Sequence, residues 1–369
     1  MYHHIYHFWN VNVVLFLALT CLNPADGAEL WLHPKCEALP TSYQGPFVRL
    51  PDGGILAIDD SQAVISGDEG KSWKSYRIFK PEHDIVISNE RAIVCTTDGT
   101  VIVGFMNYNE RVWKWNQETR DADPGTKLPT YVVRSKDGGR TWLEPQKLHD
   151  TWTGDSRDMI QTKSGQVIFS SMNLLNDPGR HSVLTYVSGD DGKSWTRSNT
   201  IDLGGNGHHG GVTEATIEQL RDGRIWMLIR TNWERFWEAI SVDEGRSWRI
   251  IRPSRIEASS SPGMLKRLAS GRLALIWNRP LPEGQRDYPR VGGKGQWSEV
   301  PVRNHRGELS IAFSEDDGAT WSAAVAFAKQ PGASLAYPHI FEASPGVIWV
   351  TTMQGGIRVI LRETDLLRG

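Results

Sequence analysis

Apolar residues in this chain come in short runs broken by turns, and the three-to-four spacing of an amphipathic helix is absent. Leu273-Ala-Leu-Ile-Trp277 and Val347-Ile-Trp-Val-Thr-Thr352 are typical runs, rich in β-branched and aromatic residues. Such segments predict strands. A Gly turn separates paired runs at six places: Gly53, Gly99, Gly165, Gly223, Gly271 and Gly346. The repeat predicts six hairpins in chain order.

A second repeat follows each of the first five turns. Ser66-Gly-Asp68-Glu-Gly70-Lys-Ser-Trp73 is the first copy, and Ser135–Trp142, Ser188–Trp195, Ser241–Trp248 and Ser314–Trp321 are the others. Each fits a hairpin turn. Asp accepts backbone N–H bonds, Gly supplies positive φ, Ser or Thr ties the ends, and Trp packs beneath. Six units of about four strands each predict an all-β fold, a six-bladed β-propeller, which disposes of sheet edges by closing on itself. The sixth unit lacks the Trp-ended box, so its last strand is expected from the N-terminal side, near Leu30 to Leu39.

One propeller domain is therefore read over residues 29–369. Residues 1–28 read as a secretory signal peptide, because Val11 to Leu22 form an apolar core too short to span a bilayer and small residues follow. The mature chain is expected to be secreted or periplasmic, with no transmembrane segment. The formal net charge of -2 favours neither nucleic acid nor a polybasic membrane contact. Beyond the leader two cysteines remain, Cys36 and Cys95, either paired or as two buried thiols.

Extra chain enters at two places, Asn107 to Pro129 in unit two and Arg279 to Asn304 in unit five. Long loops on a rigid β scaffold usually carry function. Gly204 to Gly211, with His208 and His209, reads as a flexible loop rather than a metal site, since no spaced partner set accompanies the histidines. Trp113, Trp115, Trp233 and Trp237 suit sugar stacking and propeller packing equally.

Glu214, an apolar strand, an Asp-Gly turn and then Arg230 form a non-repeating arrangement between two repeated elements. With the five boxes, it resembles the sialidase (neuraminidase) superfamily of exo-glycosidases. That resemblance covers essentially the whole mature chain and implies an exo-α-sialidase-like hydrolase with no cofactor. It implies a glycan substrate ending in sialic acid or a related acidic sugar. By the same resemblance three arginines hold the substrate carboxylate: Arg91 (or, competing with it, Arg49), Arg230 and Arg306. Tyr337 stands where the family places its nucleophile and Glu214 where it places the base. The acid/base Asp is implied in the loop after the first Arg, at Asp121 or Asp123, with Asp158 a third choice.

The chemistry is coherent. Guanidinium groups bind a carboxylate by paired, charge-assisted hydrogen bonds. A neutral phenol escapes the repulsion that an anionic nucleophile would meet, which is why a Tyr nucleophile is the known exception among retaining glycosidases. Two rivals stand beside this reading: a propeller glycosidase or lyase for another acidic sugar, and a non-catalytic glycan-binding propeller. The Tyr337–Glu214 pair separates the last from the others, since catalysis requires the two side chains to meet among the arginines.

Overall fold

A computed structural model describes residues 28–293 and 297–367. The expected signal peptide lies at residues 1–28, almost wholly outside that range. Six antiparallel blades follow one another along the chain, five of them four-stranded and one five-stranded. Blade 1 comprises Val48–Arg49, Ile55–Asp59, Gln62–Ser66 and Lys74–Arg77, and blade 2 comprises Ile87–Cys95, Val101–Asn107, Thr130–Ser135 and Gln146–His149. Blade 3 begins at Met159–Gln161, blade 4 at Thr213–Gln219, blade 5 at Met264–Arg267 and blade 6 at Ala336–Ser344. The first strands of successive blades face one another, so the sheets stand around a common centre.

Each Trp-ended box joins the third strand of its blade to the fourth. In the first, Ser72 N and Ser66 Oγ donate to Asp68 Oδ1 at 2.8 Å each, and Ser72 Oγ donates to Oδ2 at 2.7 Å. Gly70 at φ 85° turns the chain, and its carbonyl accepts from Trp73 Nε1 at 3.0 Å. The carboxylate thus satisfies backbone donors that a tight turn would leave bare.

Apolar residues fall into six clusters, one at each boundary between neighbouring blades. Ile168, Ile217 and Met227 fill the space between blades 3 and 4, and Leu309, Ile340 and Val350 that between blades 5 and 6. Closure of the ring falls to Phe47 and Val64 of blade 1 against Phe341 and Trp349 of blade 6. Strands buried on both faces between neighbours explain the uninterrupted apolar runs of the sequence.

The chain's N-terminal side completes two blades. Glu37–Ala38 pairs with Arg358–Arg362 as the outer strand of blade 6, where a strand near Leu30 to Leu39 was expected. Trp31–Leu32 adds a fifth strand to blade 5 beside Val325–Lys329, which the sequence pattern did not suggest. Cys36 and Cys95 are both free thiols, one by blade 5 and one in blade 2. No helix among the described residues is long and apolar enough to cross a membrane.

Candidate active site

Glu214 is placed by a bulge. Thr213 pairs with Arg230 and Ala215 with Ile229, which leaves Glu214 as the extra residue, at φ 35°. A bulge swings one side chain out of the alternation of its strand. Tyr337, second residue of the first strand of blade 6, has φ 61°. Positive φ in non-glycine residues is disfavoured by about 1–3 kcal/mol each, and it concentrates at functional sites.

These two strained residues meet. The Tyr337 hydroxyl donates to Glu214 Oε1 at 3.0 Å. Arg230, last residue of its strand, forms an ion pair with Glu214 Oε2 and donates to Tyr337 OH at 3.2 Å through the same nitrogen. Its other terminal nitrogen donates to Ser260 Oγ at 3.1 Å, and Ser260 in turn donates to Asn232 at 2.6 Å. A cation, an anion and a phenol are thereby locked together with little exposure to water.

Arg306 joins them from blade 5, its guanidinium carbon 5.5 Å from the centre of the Tyr337 ring. It is oriented by Asn304 Oδ1 at 3.0 Å, Gln354 Oε1 at 3.1 Å and the Ser260 carbonyl at 2.7 Å. Arg157, just before blade 3, stands 4.9 Å from the same ring centre. One of its terminal nitrogens donates to the Pro338 carbonyl at 2.9 Å, while Nε and Nη1 are buried without a partner. Such unpaired donors are rare in protein interiors.

Charge balance tunes the cluster. Burial acts to raise the Glu214 carboxyl, but the charge and hydrogen bond of Arg230, with Arg157 and Arg306 behind it, hold it below its ordinary value. Burial and the Glu214 charge push the Tyr337 hydroxyl up to about 12 against the pull of Arg230 and Arg306. Asp155, two residues before Arg157, is pushed well above the usual carboxylate range, by burial first and then by the charges of Glu214 and Glu90. Its Oδ1 is buried and unpartnered.

Three candidate site residues from the sequence therefore assemble around Glu214: Tyr337, Arg230 and Arg306. The others lie apart from that cluster. Arg91 is buried in blade 2, donating to the Ile58 carbonyl and, at 3.3 Å, to the Ser88 carbonyl. Arg49 is turned to the outer surface, where it binds Glu69 at 2.7 Å. Asp121 accepts from the Asp177 backbone at 2.9 Å within the blade 2 insertion, and Asp123 sits in the turn that closes the same insertion. Asp158 is buried between blades 3 and 4, accepting from Thr216 Oγ1 at 2.7 Å and Ile217 N at 2.8 Å, and burial raises its pKa to about 6.

Arg157 and Asp155 were not assigned from the sequence. The signal they left is Asp155-Ser-Arg157-Asp158, three charges directly ahead of an apolar strand. Beside Arg230 and Arg306 a cavity of about 430 Å³ opens to solvent, lined also by His209, Tyr288, Trp297 and Asn304.

Comparison with known proteins agrees with this architecture. A family model described as a BNR repeat-like domain matches residues 65–350. A sialidase from Micromonospora viridifaciens is 22% identical over 370 residues, covering 90% of this chain and 52% of its own, so the chain spans about half the length of that curated relative. Among solved structures, the NanB sialidase of Streptococcus pneumoniae superposes with a TM-score of 0.58 at 14% identity, covering 91% of this chain and 70% of that one. An α-L-arabinanase of Penicillium chrysogenum, solved with arabinobiose, gives 0.58 at 12% identity over 90% of this chain and 99% of that one. The six blades, their repeated turns and the match across most of their length make this chain a sialidase-like propeller of the BNR repeat-like domain family.

Proposed function

We propose that this protein is a retaining, exo-acting glycoside hydrolase that removes a terminal acidic sugar, sialic acid in the first instance, from glycans. The observation that carries the reading is the half-buried Tyr337–Glu214 hydrogen bond flanked by Arg230 and Arg306. A non-catalytic glycan-binding propeller has no need of a phenol bonded to a carboxylate in strained backbone.

In this reading Arg306, Arg157 and Arg230 receive the substrate carboxylate. Arg157 stands over the Tyr337 ring with two unpaired donors, whereas Arg91 and Arg49 are held elsewhere. Glu214 takes the phenolic proton as Tyr337 Oη attacks the anomeric carbon. A hydroxyl with a pKa of about 12 is a poor nucleophile until that proton leaves. Asp155, kept protonated by burial and the neighbouring carboxylate, gives its proton to the departing glycosidic oxygen. Asp155 then takes a proton from water, the water oxygen bonds to the anomeric carbon, and Tyr337 leaves, recovering its proton from Glu214. Two displacements retain configuration.

The test is hydrolysis of 4-methylumbelliferyl α-sialoside by wild type, Tyr337→Phe and Arg306→Ala. Turnover by wild type, lowered at least ~100-fold in kcat for Tyr337→Phe and mainly through KM for Arg306→Ala, is the expected outcome. A folded wild type inactive on this substrate removes the sialidase form of the proposal. A second reading, the same mechanism on a different acidic sugar such as a uronic or ulosonic acid, is favoured by the position of Arg157. A carboxylate gripped from blade 3 and blade 5 need not present the same ring. A panel of such glycosides distinguishes the two.

A further inference from the structure

The fifth Trp-ended box departs from the other four at its tryptophan. Trp73, Trp142 and Trp195 each donate to their own box glycine, and Trp248 donates to Thr185 Oγ1 at 2.9 Å. Trp321 Nε1 is buried and has no partner. The reason lies in blade 4. Gly245 of the fourth box packs on Ile168, whereas Gly318 of the fifth packs on the larger Trp226. Glu238 stands three residues before its box, as Thr185 does before its own. It already accepts from Trp226 Nε1 at 3.0 Å and Arg252 Nε at 2.6 Å. Trp248 therefore seals the boundary between blades 3 and 4, while Trp321 is only half-buried at the boundary between blades 4 and 5.

Beside Trp321 a cavity of about 480 Å³ opens along the outer half of that boundary. Small-molecule sites run from roughly 300 to 1,000 Å³, so the space is of binding-site size. Trp277, Trp321, Ile256, Leu275 and Leu281 supply apolar walls. Two arginines stand at it, Arg255 from the outer strand of blade 4 and Arg279 from the blade 5 insertion, against one acid, Glu257. Among the described residues neither guanidinium has a hydrogen-bond partner. The carboxylates nearest Arg279 are Glu308 at 3.7 Å and Glu283 at 3.8 Å. Both are engaged elsewhere, Glu283 by Lys329 at 2.5 Å and Glu308 by the Glu283 backbone N–H at 2.9 Å. With a quarter of its side chain exposed, Arg279 is open to an anion in the cavity. Ordinary packing between blades leaves neither an open chamber nor idle guanidinium donors. None of the lining residues belongs to the cavity at Arg230 and Arg306.

We propose that this cavity is a second ligand site, which takes a planar aromatic molecule carrying one acidic group. The two indoles favour a ring system, because aromatic pairs gain stability beyond the area they bury. The arginines decide the charge. A carboxylate or sulfonate accepts paired, charge-assisted hydrogen bonds from a guanidinium fork. A neutral ring would cover the same walls and leave those donors unmet, and a cation would meet like charge. Glu257 is balanced by one of the two arginines, which leaves one positive charge for the ligand. The site takes no part in the glycosidase chemistry and stands or falls without it.

The test is calorimetric titration of 2-naphthalenesulfonate and of its neutral counterpart 2-naphthalenemethanol. Wild type, Arg279→Met, Ala324→Trp and Arg306→Ala are compared, and circular dichroism confirms that each folds. Wild type should bind the sulfonate at one site, at least ~10-fold tighter than the alcohol. Arg279→Met should weaken the sulfonate by at least ~5-fold and leave the alcohol unaffected. Ala324 lines the cavity, and an indole in its place should exclude both probes. Arg306→Ala should change neither. Absence of sulfonate binding in wild type overturns the proposal, as does a sulfonate bound no tighter than the alcohol. Binding that survives both Arg279→Met and Ala324→Trp overturns it too, and should Ala324→Trp fail to fold, Arg279→Met decides. Sulfonate binding lost in Arg306→Ala places the probe in the other cavity and has the same effect. The two readings fail separately. An active glycosidase that ignores the sulfonate has no second site, and a protein inert to every acidic glycoside can still bind it.

Discussion

Tyr337 and Glu214 are held in backbone conformations that L-residues avoid, and the surrounding structure has to over-determine them. The ion pair to Arg230 does this for Glu214, and the guanidinium groups of Arg157 and Arg306 flank the Tyr337 ring. At this scale the acid/base assignment is the sharpest point to test. The proposed mechanism needs Glu214 ionised, and its depressed pKa keeps it so until the pH falls below the ordinary glutamate range. The proposed mechanism needs Asp155 protonated, and its raised pKa keeps it so above the ordinary aspartate range, until rising pH removes the proton. Activity is then expected to follow a bell, with Glu214 setting the acid limb and Asp155 the alkaline one. The two limbs belong to an interacting pair and report it jointly. Asp155→Asn should abolish the alkaline limb and lower kcat by roughly 10²–10⁴ on a natural glycan. It should lose much less on the 4-methylumbelliferyl glycoside, whose leaving group needs little protonation. Equal losses on both substrates would assign Asp155 a positioning role instead.

Among the elements, the Trp-ended boxes carry the architecture and none of the chemistry. In the fourth, Asp243 accepts from Ser241 Oγ at 2.7 Å, Ser247 N at 2.8 Å and Ser247 Oγ at 2.6 Å. Removing the carboxylate in Asp243→Ala strands those donors at a partly covered turn, and the expected loss is about 1–3 kcal/mol of stability. Thermal unfolding by calorimetry checks it, and KM on the same glycoside should be unchanged, since the box is remote from the arginines. The repeat varies in one instructive way. Trp73, Trp142 and Trp195 donate to their own box glycine, whereas Trp248, fully buried, donates to Thr185 Oγ1 of blade 3 at 2.9 Å. The fourth box is thereby pinned to its neighbour, under the blade that presents Glu214 and Arg230.

For the whole molecule, the question is how an array of hairpins becomes a closed ring. Blades 5 and 6 take their outer strands from Trp31–Leu32 and Glu37–Ala38, so the first described strands are stitched to the last two blades. Arg362 pairs with Glu37 at 2.7 Å, and Lys329 covers the Trp31 ring at 5.0 Å. Deleting residues 28–38 would leave two strands with open edges, a known route to aggregation. The truncated protein is expected to unfold at a lower temperature and to associate during size-exclusion chromatography. An unchanged unfolding temperature would show that the Phe47–Phe341–Trp349 contact closes the ring unaided.

Local chemistry made the fold legible from sequence. Each box and each Gly turn is specified by residues within a few positions of one another, and apolar runs report burial between blades wherever they occur. Repetition then multiplied that signal, five times for the boxes and six for the Gly turns. Glu214 and Arg230 were legible because one hairpin joins them, and Tyr337 and Arg306 because the resemblance to the sialidase superfamily points to those positions. What only the tertiary structure decided is which other charges reach the centre. Arg91 and Arg157 both stand near the beginning of a first strand, ahead of apolar residues, and no local property separates them. A bulge between Ile87 and Arg91 directs the first into the Ile58 carbonyl, while Arg157 reaches the Tyr337 ring from across the propeller. Asp155, Asp121 and Asp123 differ likewise only in what the folded ring places beside them, because a site is made of neighbours brought from distant parts of the chain.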